Sequence, residues 1–234
     1  MLTGVTALLA RLAYWVNRVF PRAKSLIPKS LHRFILLRIV GVNTRRVGAD
    51  ESYEWMLGNS PERLFLENEA LPWVSGAYRR VLFVGTAPYT YHLEALFRDD
   101  PDRYTTIDHN PAAKVWGARH HIVASLQNID RLRPPGFFDC IVLNGVVGYR
   151  LPEIDDYGII GHEELRKTVR AMHVAIRPGG LLLVGWNRGD MTSSAFEMGL
   201  IDPYFVPTKL PPWGARKAFP GDLHVFDCYE RRAA

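Results

Sequence analysis

Four stretches of the chain place residues where they could do chemistry. The first is Gly85-Thr86-Ala87-Pro88-Tyr89-Thr90, between the apolar run Val81–Val84 and a segment with apolar Leu93, Leu96 and Phe97. Strand, turn and helix in that order form the entrance to a nucleotide-type site, but a dinucleotide loop carries two further glycines. Pyrophosphate needs a close approach of bare backbone, and Ala87, Pro88 and Tyr89 are too bulky to allow it. The second is Asp108, 23 residues after Gly85. An acid at that spacing accepts hydrogen bonds from ribose hydroxyls; alternatively it caps the helix behind Pro111. The third is Asn144, which closes "FDCIVLN" and is followed by Gly145 and Gly148. Its amide both donates and accepts, which suits an amino-acid headgroup or simply a turn. The fourth is a set of aromatics, Tyr89, Tyr91, Tyr149 and Trp186, in expected loops. Aromatic faces attract a cation by roughly 0.5–2 kcal/mol each, and they serve equally as packing groups. For proton transfer, His162 or Tyr149 could act as a base of near-neutral pKa, while His92 and His109 are scattered.

These residues need elements to hold them. Short apolar or β-branched runs predict strands at Val81–Gly85, Tyr104–Ile107, His121–Ala124, Phe138–Leu143 and Leu181–Gly185. Between them helices are expected at Tyr91–Phe97, Ala112–Arg119 and Glu163–Ile176, with a short turn after Leu126. The last helix has Leu165, Val169, Met172 and Ile176 on one face and stops at "RPGG", Arg177–Gly180. Strands alternating with helices predict a parallel sheet covered on both faces. In such a sheet ligands bind beyond the carboxyl ends of the strands, where the residues above are found. Near the C-terminus, His224–Arg231 alternates as a final strand. The proline-rich Val206–Asp222 reads as a loop.

The charge is unevenly spread. Of 29 Lys and Arg, nine lie within residues 1–49, which hold no Asp or Glu, so the remainder carries 20 basic against all 24 acidic residues. A net charge of +5 thus combines a basic leader with a mildly acidic body, which argues against a uniformly basic nucleic-acid binder. In residues 2–20 apolar groups recur at helical spacing, interrupted by Arg11, Asn17 and Arg18. No run approaches the roughly 18–20 apolar residues of a membrane span. Three readings fit the leader: helices packed on the body as a lid, a peripheral membrane contact through residues 1–40, or an organelle-targeting segment. The expected division is a leader over 1–49, a helical bridge over 50–78 and a ligand-binding domain over 79–234. Cys140 and Cys228 stand in apolar contexts as buried free thiols, and their spacing makes neither a metal site nor a disulfide framework. The composition fits a cytoplasmic protein, with membrane association left open by the leader.

Gly85, Asp108, "FDCIVLN" and "RPGGLLLVGWN", in that order and spacing, resemble a class I S-adenosylmethionine-dependent methyltransferase. The resemblance covers Arg79 to the C-terminus. It implies a Rossmann-like α/β fold with a seven-stranded mixed sheet, here behind an N-terminal helical extension. It further implies S-adenosylmethionine contacts from Gly85, Thr86, Ala87 and Tyr89, from Asp108 and His109, from Ser125 and Leu126 on the adenine, and from Asn144 and Gly145. Tyr89, Asn144, Tyr149 and His162 are the candidate catalytic residues. The chain departs from the family where Phe83 replaces an acid, where Ala87 and Tyr89 replace loop glycines, and where Ser125 replaces the acid near the adenine. The first expectation is methylation of a small molecule, with S-adenosylmethionine as donor. Alternatives are its use as substrate in a cyclisation to azetidine-2-carboxylate and methylthioadenosine, methylation of RNA or protein, and a non-catalytic binding module that retains the fold.

Overall fold

The computed structural model describes residues 60–87, 90–147, 162–188, 199–210 and 213–232. The leader and the start of the bridge lie outside the described residues. The rest of the bridge is helical: α1 (Pro61–Phe65), a π-helical turn (Leu66–Ala70) and α2 (Leu71–Ala77). Pro61 sits in the first turn, where a missing N–H costs nothing. Phe65, Leu66, Ala70, Leu71 and Val74 form its buried stripe. Arg63 and Glu67 go inside with that stripe as a pair, Arg63 Nε donating to Glu67 Oε1 at 2.6 Å.

The sheet is built from β1 (Val81–Val84), β2 (Tyr104–Asp108), β3 (His120–Val123), β4 (Phe138–Val147), β5 (Ile176–Asn187), β6 (Phe205–Pro207), β7 (Arg216–Ala218) and β8 (His224–Arg231). Their order is β3-β2-β1-β4-β5-β8-β6, with β7 also paired to β8. The first five strands are parallel, and β8 enters antiparallel beside β5. Strands covered on both faces must be apolar throughout, which is why β1 and residues 140–143 of β4 contain only buried residues. The outer edge of β8 is shared: β7 pairs with Val225–Asp227 and β6 with Tyr229–Arg231. Eight strands therefore fill seven positions. The proline-rich Val206–Asp222 is accordingly not all loop. It continues β6 and contains β7, both held by pairing with β8 rather than by their own propensity.

Two cores flank the sheet. Phe83, Val142, Leu183, Phe226 and Cys228 pack with the α1–α2 side. Leu82, Ile141, Leu143, Leu182 and Val184 pack with α3 (Ile129–Leu132) and α4 (His162–Ala175). Leu165, Val169, Met172 and Ile176 are fully buried, as the helical spacing predicts. The exit from α4 differs from expectation. Ile176 already pairs with Phe138, and exposed Arg177–Gly179 form an irregularity inside β5, not a turn ahead of it. Tyr91–Phe97 and Pro111–Trp116 are 3-10 helices; segments this short close i→i+3 bonds, as Leu93 N–H does to Thr90 O.

Asp139 fastens the opposite end of the sheet. Its Oδ2 accepts from the backbone N–H groups of Arg79 and Arg80, and its Oδ1 from Arg177 Nε. Cys140 and Cys228 are free and buried. Burial raises both thiols, Cys228 to about 12, which makes them inert packing groups. Among the described residues no helix is long and apolar enough to cross a membrane.

Candidate functional site

The sheet order reverses between β1 and β4, since β1 lies between β2 and β4. A crevice at the carboxyl ends of the strands follows from that topology. The chain leaves β1 through Gly85, whose φ of +83° is the left-handed conformation that favours glycine. Gly85 N–H still bonds to Ile107 O at 2.9 Å. Thr86 N–H donates to Asp108 Oδ2 at 2.8 Å, and Thr86 Oγ1 donates to Ala113 O at 3.1 Å. Ala87 N–H donates to Thr90 Oγ1 at 2.9 Å, while Thr90 N–H returns to Ala87 O. Two threonines and a carboxylate thus tie down Thr86 and Ala87, the described residues that follow Gly85.

Asp108 has its side chain 13% exposed at this point. Its Oδ1 accepts Asn110 N–H at 2.8 Å. Asp108 thus accepts a local backbone bond of the capping kind while standing at the end of β2. An ionised carboxylate has about four acceptor directions, and the backbone bonds of Thr86 and Asn110 use two. His109 points outward, 78% exposed, with Nδ1 3.7 Å from Asp108 Oδ1. Ser125 caps a 3-10 turn by accepting Gln127 N–H. The Leu126 side chain belongs to the core.

Asn144 does not end its strand; β4 continues to Val147, with shifted register after Asn144. Gly145, at φ +68°, begins that irregularity. Across the ladder Asn144 faces Gly185, and Asn187 faces His224. Residues two apart on a strand share a face, so Asn144, Asn187 and His224 meet above Gly185. A Cβ on Gly185 would lie 2.0 Å from Asn144 Oδ1 and 2.9 Å from His224 Nε2. His224 Nδ1 lies 2.8 Å from Asn187 Oδ1, and its Nε2 lies 3.2 Å from Asn144 Oδ1.

Burial lowers the His224 pKa to about 4, against a smaller opposing pull from Asp222. The imidazole is neutral near pH 7. Asp222 accepts the His224 backbone N–H at 2.9 Å. Burial raises the Glu62 carboxyl, which bonds to Asp222 from the start of α1. Burial opposes ionisation of Asp222, but the His224 N–H and the Glu62 carboxyl outweigh it and hold Asp222 low.

A pH dependence follows. The unfolded chain protonates its histidine near 6.5 and the folded chain near 4. Stability from neutral His224 is fully present above pH 6.5 and declines as pH falls towards 4, by up to about 3 kcal/mol. Glu62, with its raised pKa, has the opposite slope over part of that range. The His224→Gln variant isolates the histidine: its melting temperature should fall less steeply than the wild type's between pH 6.5 and 4.5. Parallel curves would deny His224 this contribution.

The structure thus joins the Gly85–Ala87 loop to Asp108, and Asn144 to two residues the sequence reading passed over as site residues, Asn187 and His224. Tyr89 and Tyr149 lie outside the described residues. The backbone of Tyr91 opens a 3-10 helix and that of His162 opens α4. Trp186 is corrected: it lies within β5 on the opposite face from Gly185, 1% exposed, its Nε1–H donating to Asp227 Oδ2 at 2.7 Å. Strand alternation turns it into the core. A signal for His224 was present in the sequence. The first residue of an antiparallel strand lies beside the carboxyl ends of its parallel neighbours.

This sheet order and its single antiparallel insertion are those of the class I methyltransferase fold. No family model matches the chain, and no curated protein does. Among solved structures it is similar to the N-methyltransferase NodS from Bradyrhizobium japonicum WM9, in complex with S-adenosyl-l-homocysteine. The two are 19% identical with a TM-score of 0.52, over 83% of this chain and 98% of that one. It is also similar to NSun6 from Pyrococcus horikoshii, crystallised with SFG, at 13% identity and TM-score 0.52, over 72% of this chain and 52% of that one. A further protein of Pyrococcus horikoshii OT3 is 14% identical with TM-score 0.52, over 79% of this chain and 100% of that one. At these identities the likeness carries the fold.

Proposed function

We propose that the chain binds S-adenosylmethionine and transfers its methyl group to a small molecule. One observation supports this reading: at the reversal of strand order the Thr86 N–H is tied to the Asp108 carboxylate, and Asn144 follows Leu143, the partner of Val84 on the neighbouring strand. The groups fit this ligand better than a dinucleotide. A carboxylate at the end of β2 accepts ribose hydroxyls. Among the described residues of the loop after β1, the N–H groups of Thr86 and Ala87 are already bonded, to Asp108 and Thr90, and are not offered to pyrophosphate. Bound there, the ligand supplies an activated methyl group on a sulfonium. The chain's own task is alignment, since proximity supplies most of what such a transfer needs. Asp108 fixes the nucleoside, and Asn144 the amino-acid end. NodS, solved with S-adenosyl-l-homocysteine, makes an amine a reasonable first class of acceptor.

Incubation with S-adenosylmethionine, alone and with a panel of small amines, followed by mass spectrometry, tests this. S-adenosylhomocysteine formed only when an acceptor is present supports it. Methylthioadenosine formed without any acceptor would establish cyclisation to azetidine-2-carboxylate instead. Of the aromatics that could hold the sulfonium, Trp186 is buried in the core and is not one. Binding of S-adenosylmethionine without turnover would favour a non-catalytic module.

A further inference from the structure

His224 is set apart from a catalytic base by its surroundings. Both ring nitrogens are engaged, one by Asn187 and one by Asn144, and the residue is 7% exposed. No lone pair remains to receive a substrate proton, and burial keeps the ring a weak base. What remains is its effect on the amides. A neutral imidazole carries one N–H and one lone pair, so it must hold one amide by oxygen and the other by nitrogen. The 2.8 Å contact is the stronger, and assigns the N–H to Nδ1, donating to Asn187 Oδ1. Nε2 then offers a lone pair to Asn144, whose amide fits the same space in either orientation; the assignment therefore turns that amide end for end, placing NH2 where Oδ1 stands 3.2 Å from Nε2.

We propose that His224 is a positioning residue: through its Nδ1–H tautomer it turns the Asn144 amide so that the carbonyl oxygen faces the crevice, where it accepts from the ammonium of the cofactor's amino-acid end. Gly185 makes this possible, because any side chain there would occupy the space in which the two groups meet. Asp222 braces the arrangement from the turn before β8, through the His224 backbone N–H. The inference rests on the proposed function, and deepens it by assigning the residue that orients the amino-acid end.

The test separates the two ends of the ligand. S-adenosylhomocysteine carries the amino acid; methylthioadenosine does not. Calorimetry on the full chain should find that His224→Phe binds S-adenosylhomocysteine about tenfold more weakly, the loss of one hydrogen bond to a charged group, with methylthioadenosine unchanged. His224→Gln, which keeps one donor and one acceptor, should retain most of the affinity. Long-range proton–nitrogen NMR of the wild type gives a second readout that survives a misfolded variant: Nδ1 should carry the proton and Nε2 the lone pair. The opposite tautomer, an imidazolium at neutral pH, equal losses for both ligands, or no loss for either would each overturn the assignment. A wild type that binds neither ligand would overturn the proposed function, and this inference with it.

Discussion

Asp108→Ala should weaken S-adenosylmethionine and methylthioadenosine alike, each by tenfold or more. The carboxylate stands where ribose hydroxyls are expected, and hydrogen bonds to a charged group contribute about 1.5–3 kcal/mol each. The substitution also strips the acceptor from Thr86 N–H and Asn110 N–H. The loop after β1 would lose its tie to β2, so a modest fall in stability should accompany the loss of affinity. The equal effect on both ligands distinguishes this residue from His224, whose loss should be felt only at the amino-acid end. Calorimetry on a variant with native circular dichroism decides the matter. Unchanged affinity would mean that Asp108 serves only to close the loop.

Gly185→Ala should be the most damaging single-methyl change at the site. The added carbon would lie 2.0 Å from Asn144 Oδ1, 2.6 Å from Phe226 Cε1 and 2.9 Å from His224 Nε2. Phe226 cannot yield easily, since it is 1% exposed and packs on Phe65 with ring centroids 5.2 Å apart. The two polar groups must separate instead, leaving buried hydrogen-bonding atoms without partners. Overpacking of this kind costs about 1–3 kcal/mol. Urea unfolding should show a lower midpoint at unchanged slope, and S-adenosylhomocysteine affinity should fall with it. A variant of native stability and affinity would show that the groups above Gly185 rearrange freely, contrary to the packing described.

The sequence made some of this legible, and the reasons are physical. β1, the centre of β4 and residues 181–184 of β5 are covered on both faces and read as apolar runs, β2 is marked by its β-branched residues, and α4 shows its stripe at helical period. Asp108 was recognisable because its spacing from Gly85 is set by one strand–helix–strand unit. What escaped notice depends on pairing between distant segments. Phe205–Pro207 and Arg216–Ala218 have no strand signal of their own beside so many prolines; β8 makes them strands. The apolar run before Trp186 closes on Gly185 and predicts a loop there, whereas β5 continues to Asn187 and strand parity turns Trp186 inward. His224 and Asn187 are 37 residues apart and become neighbours only through antiparallel register.

The divided outer edge of β8 also bears on solubility. An eight-residue strand with one uncovered side offers a row of backbone groups on which another chain could extend the sheet, the starting point of edge-to-edge aggregation. Here that row is covered by two strands of three residues each, too short to template a partner of any length. Pro207 brings no N–H to the ladder, and Arg216 and Lys217 add charge to the other half. A continuous edge strand would have closed the same side of the sheet, but would have left a new sticky border one position further out.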